Sequence, residues 1–247
     1  MDPLHQFLIY PLITITVSGG DVSFTNSALF MLLSALTGLG LVVGGMRKRL
    51  LVPDRMQSAA EISYEFVEGI VRSNAGHEGL PFVPFVFSLF LFLLFGNLIG
   101  MIPYTFTFTS HLVVTASLAM VVFIMVTLVG LLKHGLHFFS KFVPRGVPIA
   151  LMPLMIPLEI ISYFIRPVSL SVRLFANIMA GHTMLKVFAG FIVMMAGGLG
   201  AVGYLLGILP FALVVVLIGF EFFVAFIQAY VFALLTVIYI QDALEMH

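Results

Sequence analysis

Two constellations in this sequence could hold or move a proton, and both lie in runs long enough to cross a bilayer. The first is Arg173, set in the stretch RPVSLSVRLFANIMAGH at residues 166 to 182. A charged side chain at bilayer depth costs about 3 kcal/mol on insertion scales, so it persists only where a partner or a water-filled cavity receives it. Arginine cannot escape by losing its proton. The second is His182 with Glu221, because an imidazole and a carboxylate side by side exchange protons near neutral pH. Together they describe a proton path with a break in it. A proton cannot pass a permanent cation, and a carboxylic acid brought against Arg173 would be driven to ionise by an opposite charge within ~4 to 6 Å. Proton movement then requires the acid to travel. The chain supplies no obvious traveller, so a partner is implied.

The elements that must position these groups follow from composition. Hydrophobic residues make up 61% of the chain and charged ones 9%, with mean hydropathy +1.18, which leaves an integral helical membrane protein as the class. Net charge is zero and no Lys/Arg block exists, which argues against nucleic acid. With no cysteine there is no disulfide, no thiolate metal site and no cysteine nucleophile. The opening MDPLHQFLIYPL lacks the basic region of a signal peptide, and its apolar run is short and interrupted by Pro11.

Residues 1–26 form an outer segment, and the first span runs over 27–46, followed by Arg47, Lys48 and Arg49. Residues 53–75 read differently. Met56, Ala59, Ala60, Tyr64, Val67 and Val71 recur at helical spacing while Asp54, Glu61, Glu65, Glu68 and Arg72 take the other faces, which predicts an amphipathic helix on the membrane surface. Spans at 82–102 and 112–132 follow, joined by PYTFTFTSH, and then comes a basic connector with Lys133, Lys141 and Arg145. Eight of the eleven basic residues fall in the two connectors after the first and third spans. The positive-inside rule then puts the N-terminus outside and the amphipathic helix and C-terminus in the cytoplasm.

Two long elements complete the chain, at 148–196 and 204–243, separated by AGGLGAVG. From Leu158 to Ala196 one helix would measure roughly 58 Å, about twice a perpendicular crossing, so it must be strongly tilted, curved or partly outside the membrane. On it Ser169, Arg173, Ala176, Asn177 and Ala180 share one narrow face of small or polar side chains, with Glu159 close to that face and His182 opposite. In the last helix Glu221, Ala225, Gln228 and Tyr239 share a face. An antiparallel hairpin would place His182 with Glu221, Arg173 with Gln228, and Glu159 with Asp242 at three levels, from the outside to the cytoplasm. The fold class is therefore an all-α integral membrane protein: three roughly perpendicular transmembrane helices, one amphipathic surface helix and a long, strongly tilted antiparallel helix hairpin, in a single membrane domain.

Structural readings stand beside the functional ones. Arg173 would serve as an internal ion pair, His182 as a packed histidine, Asn177 and Gln228 as helix-to-helix glue, and Asp242 and Tyr239 as interfacial residues. Arg166, on the face of Arg173 but two turns toward the cytoplasm, reads as a snorkelling side chain, as does Lys186 at the outer side. A secondary transporter would also keep charge at midplane but usually shows repeated halves, and none is detectable. A haem subunit needs histidines on facing helices at matched depth, whereas only His182 lies well inside a span.

SLSVRLFANIMAGH, preceded by Glu159 and followed by EFFVAFIQAYVFALLTVIYI, resembles subunit a of the membrane sector of the F-type ATP synthase. The likeness extends over most of the chain, including HQF, the amphipathic helix and FGNLIGMIPY. It implies that Arg173 faces the carboxylates of a rotating ring of c subunits and prevents a proton short circuit. Asn177 and Gln228 would sit beside it, Glu159 would serve a cytoplasmic half-channel, and His182 with Glu221 would serve the outer one. Asp242 and Tyr239 are further candidates on the cytoplasmic side. Many bacterial members carry an acid at the position of His182 and a histidine at that of Glu221, so the exchange here is similar to the mitochondrial and alphaproteobacterial pattern. The polar ligands expected for sodium coupling are missing, which favours protons. The resemblance implies no cofactor, no metal and no catalysis by this chain alone. It implies as partners the c-ring, b-type peripheral-stalk subunits, the other synthase subunits and the lipid. A bacterial inner membrane is expected, with the mitochondrial inner membrane as the alternative.

Overall fold

The computed structural model describes residues 8–14, 16–17, 20–21, 23–47, 50–102, 105–143, 151–198 and 200–245. Lys48, Arg49, Pro103, Arg145, the HQF motif and the expected start of the long helix at 148 lie outside the described residues. The expectation of an all-α membrane protein holds. The helices are α1 (Asn26–Met46), α2 (Arg55–Ala75), α3 (Val83–Gly100), α4 (Leu112–His134), α5 (Met152–Gly198) and α6 (Gly200–Leu244). All but α2 are long and apolar enough to cross a membrane. In hydrocarbon every backbone N–H and C=O must be satisfied within the segment, and uninterrupted helices do this. The same requirement carries α5 through Pro157 and Pro167 and α6 through Pro210. It also keeps most of AGGLGAVG helical: α5 runs to Gly198 and α6 begins at Gly200, because a glycine costs only about 1 kcal/mol in a helix.

The chain divides into two units. The first comprises 1–39, 91–111 and 174–229. Its N-terminal part holds a feature that hydropathy does not signal, namely two short antiparallel pairs, β1 (Pro11–Ile13) with β4 (Phe24–Thr25) and β2 (Thr16–Val17) with β3 (Gly20–Asp21). Asn26 ties this structure to the start of α1. Its Oδ1 accepts from the backbone N–H groups of Tyr10 at 3.2 Å and Ser27 at 2.9 Å, and its Nδ2 donates to the carbonyl of Leu8 at 3.1 Å. The segment after α3 turns inward, with Phe106, Thr107, Phe108, Thr109 and Ser110 all buried. Two glycines of α3 admit it. A Cβ on Gly100 would meet Thr107 at 2.6 to 3.0 Å, and one on Gly96 would collide with the ring of Phe108.

The second unit comprises 40–90, 112–173 and 230–247. Here α2 begins at Asp54, whose carboxylate caps the N–H groups of Met56 and Gln57 at 2.9 and 3.2 Å. It ends where Gly76 adopts φ 59°, a conformation that suits glycine. The buried side of α2 is Gln57, Val67, Ile70, Val71 and Ala75, shifted from the predicted apolar face, since Met56 and Tyr64 are exposed. Gln57 is tolerated there because it exchanges two hydrogen bonds with the backbone of Leu50, at 3.1 and 3.0 Å. Gly45 of α1 lets Ala60 approach so closely that a Cβ would meet it at 2.7 Å.

Candidate functional site

In the first unit, α5 and α6 meet at two polar levels. Asn177 donates its Nδ2 to Oε1 of Gln228 at 2.9 Å. Asn177 is exposed, whereas Gln228 is buried, and its Nε2 is enclosed without a hydrogen-bond partner. At the second level Glu221 packs against Gly181, the neighbour of His182, so closely that any Cβ at position 181 would strike its carboxylate. Oε1 of Glu221 is buried and has no hydrogen-bond partner among the described residues. An orphaned carboxylate oxygen in such a place forfeits about 1 to 3 kcal/mol.

The inward-turned segment completes this level. Oγ1 of Thr107 lies 3.4 Å from Nε2 of His182, and the same hydroxyl donates to the carbonyl of Gly100 at 3.0 Å. Nearby, Asn97 of α3 donates to the carbonyl of Ala225 on α6 at 3.3 Å and accepts from Thr109 at 3.0 Å. Asn97 is wholly buried. Its two bonds fix α3, α6 and the segment to one another. Thr107, Asn97 and Thr109 are not among the residues expected from the sequence. The signal was available, because a connector of alternating phenylalanine and hydroxyl residues without a charge is composed for burial rather than for water.

In the second unit Arg166 is matched in charge. Arg166 donates to Oδ2 of Asp242 at 2.7 Å. Its guanidinium lies 5.2 Å from the ring centre of Tyr239 and 5.8 Å from that of Tyr163. Tyr163 is fixed in turn by a 2.7 Å hydrogen bond with Thr127 of α4. A cavity of about 10 Å³ beside Arg166, Tyr163 and Tyr239 has room for about one water molecule. Arg166, expected to snorkel, is held by a carboxylate and two aromatic faces. Asp242, expected at the level of Glu159, is held by Arg166, seven residues further along α5. Glu159 is half-buried.

Arg173 ends this unit's part of α5. It is exposed, as are Ser169, Ala176, Asn177 and Ala180 of the same helix face. Among the described residues it makes no ion pair, and none forms a cluster of three His, Cys, Asp or Glu fit for a metal ion.

The family model described as ATP synthase A chain matches residues 28–241. Three similar proteins each carry the name ATP synthase subunit a. That of Bradyrhizobium diazoefficiens is 56% identical, over 99% of this chain and 98% of its own length. That of Rhodopseudomonas palustris strain BisB18 is 54% identical, over 99% and 98%. That of Rhodospirillum rubrum is 52% identical, over 99% of each. A match spanning nearly the whole of every partner, with the arginine-bearing helix inside it, shows that the chain belongs to the ATP synthase subunit a family.

Proposed function

We propose that this chain is the stator side of a proton path that drives a rotating ring, with Arg173 as the fixed charge the ring's carboxylates must pass. The observation that carries this reading is the uncovered face of α5. Ser169, Arg173, Ala176, Asn177 and Ala180 are each exposed, so a cation and a strip of small side chains are offered to something outside the chain. Small residues let a partner helix approach closely in a membrane. A ring carboxylate arriving there ionises against Arg173 and re-protonates on leaving it, so protons cross only as the ring turns.

His182, Glu221 and Thr107 form the proton-handling level of the outer half-channel, and Glu159 serves the cytoplasmic one. Gln228 holds Asn177 beside the arginine by their 2.9 Å bond, an interaction of about 0.6 to 2 kcal/mol in a bilayer. Arg166, paired with Asp242, forms a wall on the side of Glu159 and Tyr239, where its matched charge does not compete for the ring's acid. The chain performs no chemistry on ATP itself. Its partners are the c-ring, the peripheral-stalk subunits and the lipid of a bacterial inner membrane, with the C-terminus in the cytoplasm. The test is Arg173→Ala in the assembled synthase in sealed vesicles. The expected result is loss of proton-driven ATP synthesis with the complex still assembled, and normal coupled synthesis would defeat the reading.

A further inference from the structure

The inward turn of residues 105–110 has a chemical consequence at His182. Thr107 is buried, and its hydroxyl has one hydrogen to give. That hydrogen goes to the carbonyl of Gly100 at 3.0 Å rather than to the imidazole at 3.4 Å. A hydroxyl whose hydrogen is engaged offers only lone pairs to its other neighbour. Its contact with Nε2 of His182 is therefore favourable when that nitrogen carries a proton and lost when it does not. The approach is built into the backbone, since a Cβ at Gly100 would meet Thr107 Oγ1 and Cγ2 at 2.6 and 2.7 Å. The segment is anchored on both sides of Thr107. Thr105 Oγ1 lies 2.7 Å from the carbonyl oxygens of both Ile99 and Ile102 and donates its one hydrogen between them, Ser110 donates to that of Thr107 at 2.6 Å, and Thr109 donates to Asn97 at 3.0 Å.

We infer that Thr107 is a positioning residue of the outer half-channel, which holds the proton of His182 on Nε2 through a hydroxyl oriented by the Gly100 carbonyl. This rests on the proposed role of His182 in proton delivery. The charged groups nearest this level are Lys186, one turn further along α5, whose charge acts on the imidazole, and Glu221, which α6 brings against the neighbouring Gly181. Thr107 differs from both in being neutral and fixed, so it sets which nitrogen bears the proton without adding charge to the path.

The discriminating variants are Thr107→Val, which keeps the shape and removes the hydroxyl, and Thr107→Ser, which keeps the hydroxyl and removes the methyl group. Whole synthase carrying each variant is reconstituted in proteoliposomes, and proton-driven ATP synthesis is normalised to assembled complex. Valine is expected to lower the rate about three- to tenfold, the effect of one lost hydrogen bond, and serine is expected to restore at least half of it. On a His182→Ala background, the valine change is expected to add no further loss. Equal impairment by valine and serine, an unimpaired valine variant, or full additivity with His182→Ala would each overturn the inference. Should valine fail to assemble, Thr107→Ala against Thr107→Ser makes the same comparison. Arg173→Ala in the same assay keeps the two readings apart. If it abolishes coupling while valine is unimpaired, only the role of Thr107 fails.

Discussion

The two polar clusters of this molecule solve the same problem in opposite ways. In the second unit, a half-buried guanidinium meets a carboxylate at 2.7 Å and lies against two aromatic rings, so its charge is matched within the chain. In the first unit, a carboxylate oxygen and an amide nitrogen are enclosed without hydrogen-bond partners among the described residues, and an imidazole lies 3.4 Å from a hydroxyl whose hydrogen goes to a backbone carbonyl. Satisfied groups rigidify, whereas unsatisfied ones in apolar surroundings are costly unless water, a proton or a partner visits them. In the proposed path the matched cluster suits a wall, and the unmatched one suits a passage.

Substitutions can break this contrast, and the largest effect is expected at the passage. Glu221→Gln keeps the side chain's size against Gly181 but removes its ability to take a proton. Proton-driven ATP synthesis should fall more than tenfold while the complex assembles normally, as judged by native gel. Gly181→Ala comes next, because a Cβ there would strike the Glu221 carboxylate. A severalfold loss of synthesis is expected, with Gly181→Ser no better. At the wall, Asp242→Asn leaves Arg166 unmatched. The side chains of the pair are 24% and 38% exposed, so screening limits the cost to about 1 to 2 kcal/mol. It should appear as a lower unfolding temperature in detergent with coupling largely kept, and Arg166→Gln combined with Asp242→Asn should recover part of the loss. The smallest effect is expected at the exposed pair of Lys133 and Glu78. Lys133→Gln should change stability by no more than about 1 kcal/mol, and less at high salt.

How much of this could be read from the residues depends on the length scale of the signal. The transmembrane helices and α2 announce themselves over some twenty residues of hydropathy or amphipathicity, and Asp54 and Gly76 mark the ends of α2 with cap chemistry. The level of Gln228 is also legible, although its observed partner is Asn177, one turn beyond the expected Arg173. Residue arithmetic on a hairpin counts Cα levels, whereas an arginine or glutamine side chain bridges a turn or more. That is why Asp242 is bound to Arg166 rather than set level with Glu159. The short N-terminal strands were not legible, because each spans two or three residues and depends on contacts distant in sequence, such as Asn26 with Leu8 and Tyr10, whereas the uncharged connector signals its burial but not that Thr107 meets Gly100 and His182.

In the proposed function Arg173 faces a moving carboxylate of another subunit. The chain contains no cysteine, so a single cysteine at Asn177, one turn from Arg173 on the exposed face of α5, can be cross-linked to cysteines placed beside the acid of the ring subunit. Cross-links that form in the membrane and stop ATP-driven proton pumping, with pumping restored on reduction, are the predicted result. No cross-link to any of the ring positions, with pumping unaffected, would contradict the claim and make Arg173 an internal structural charge.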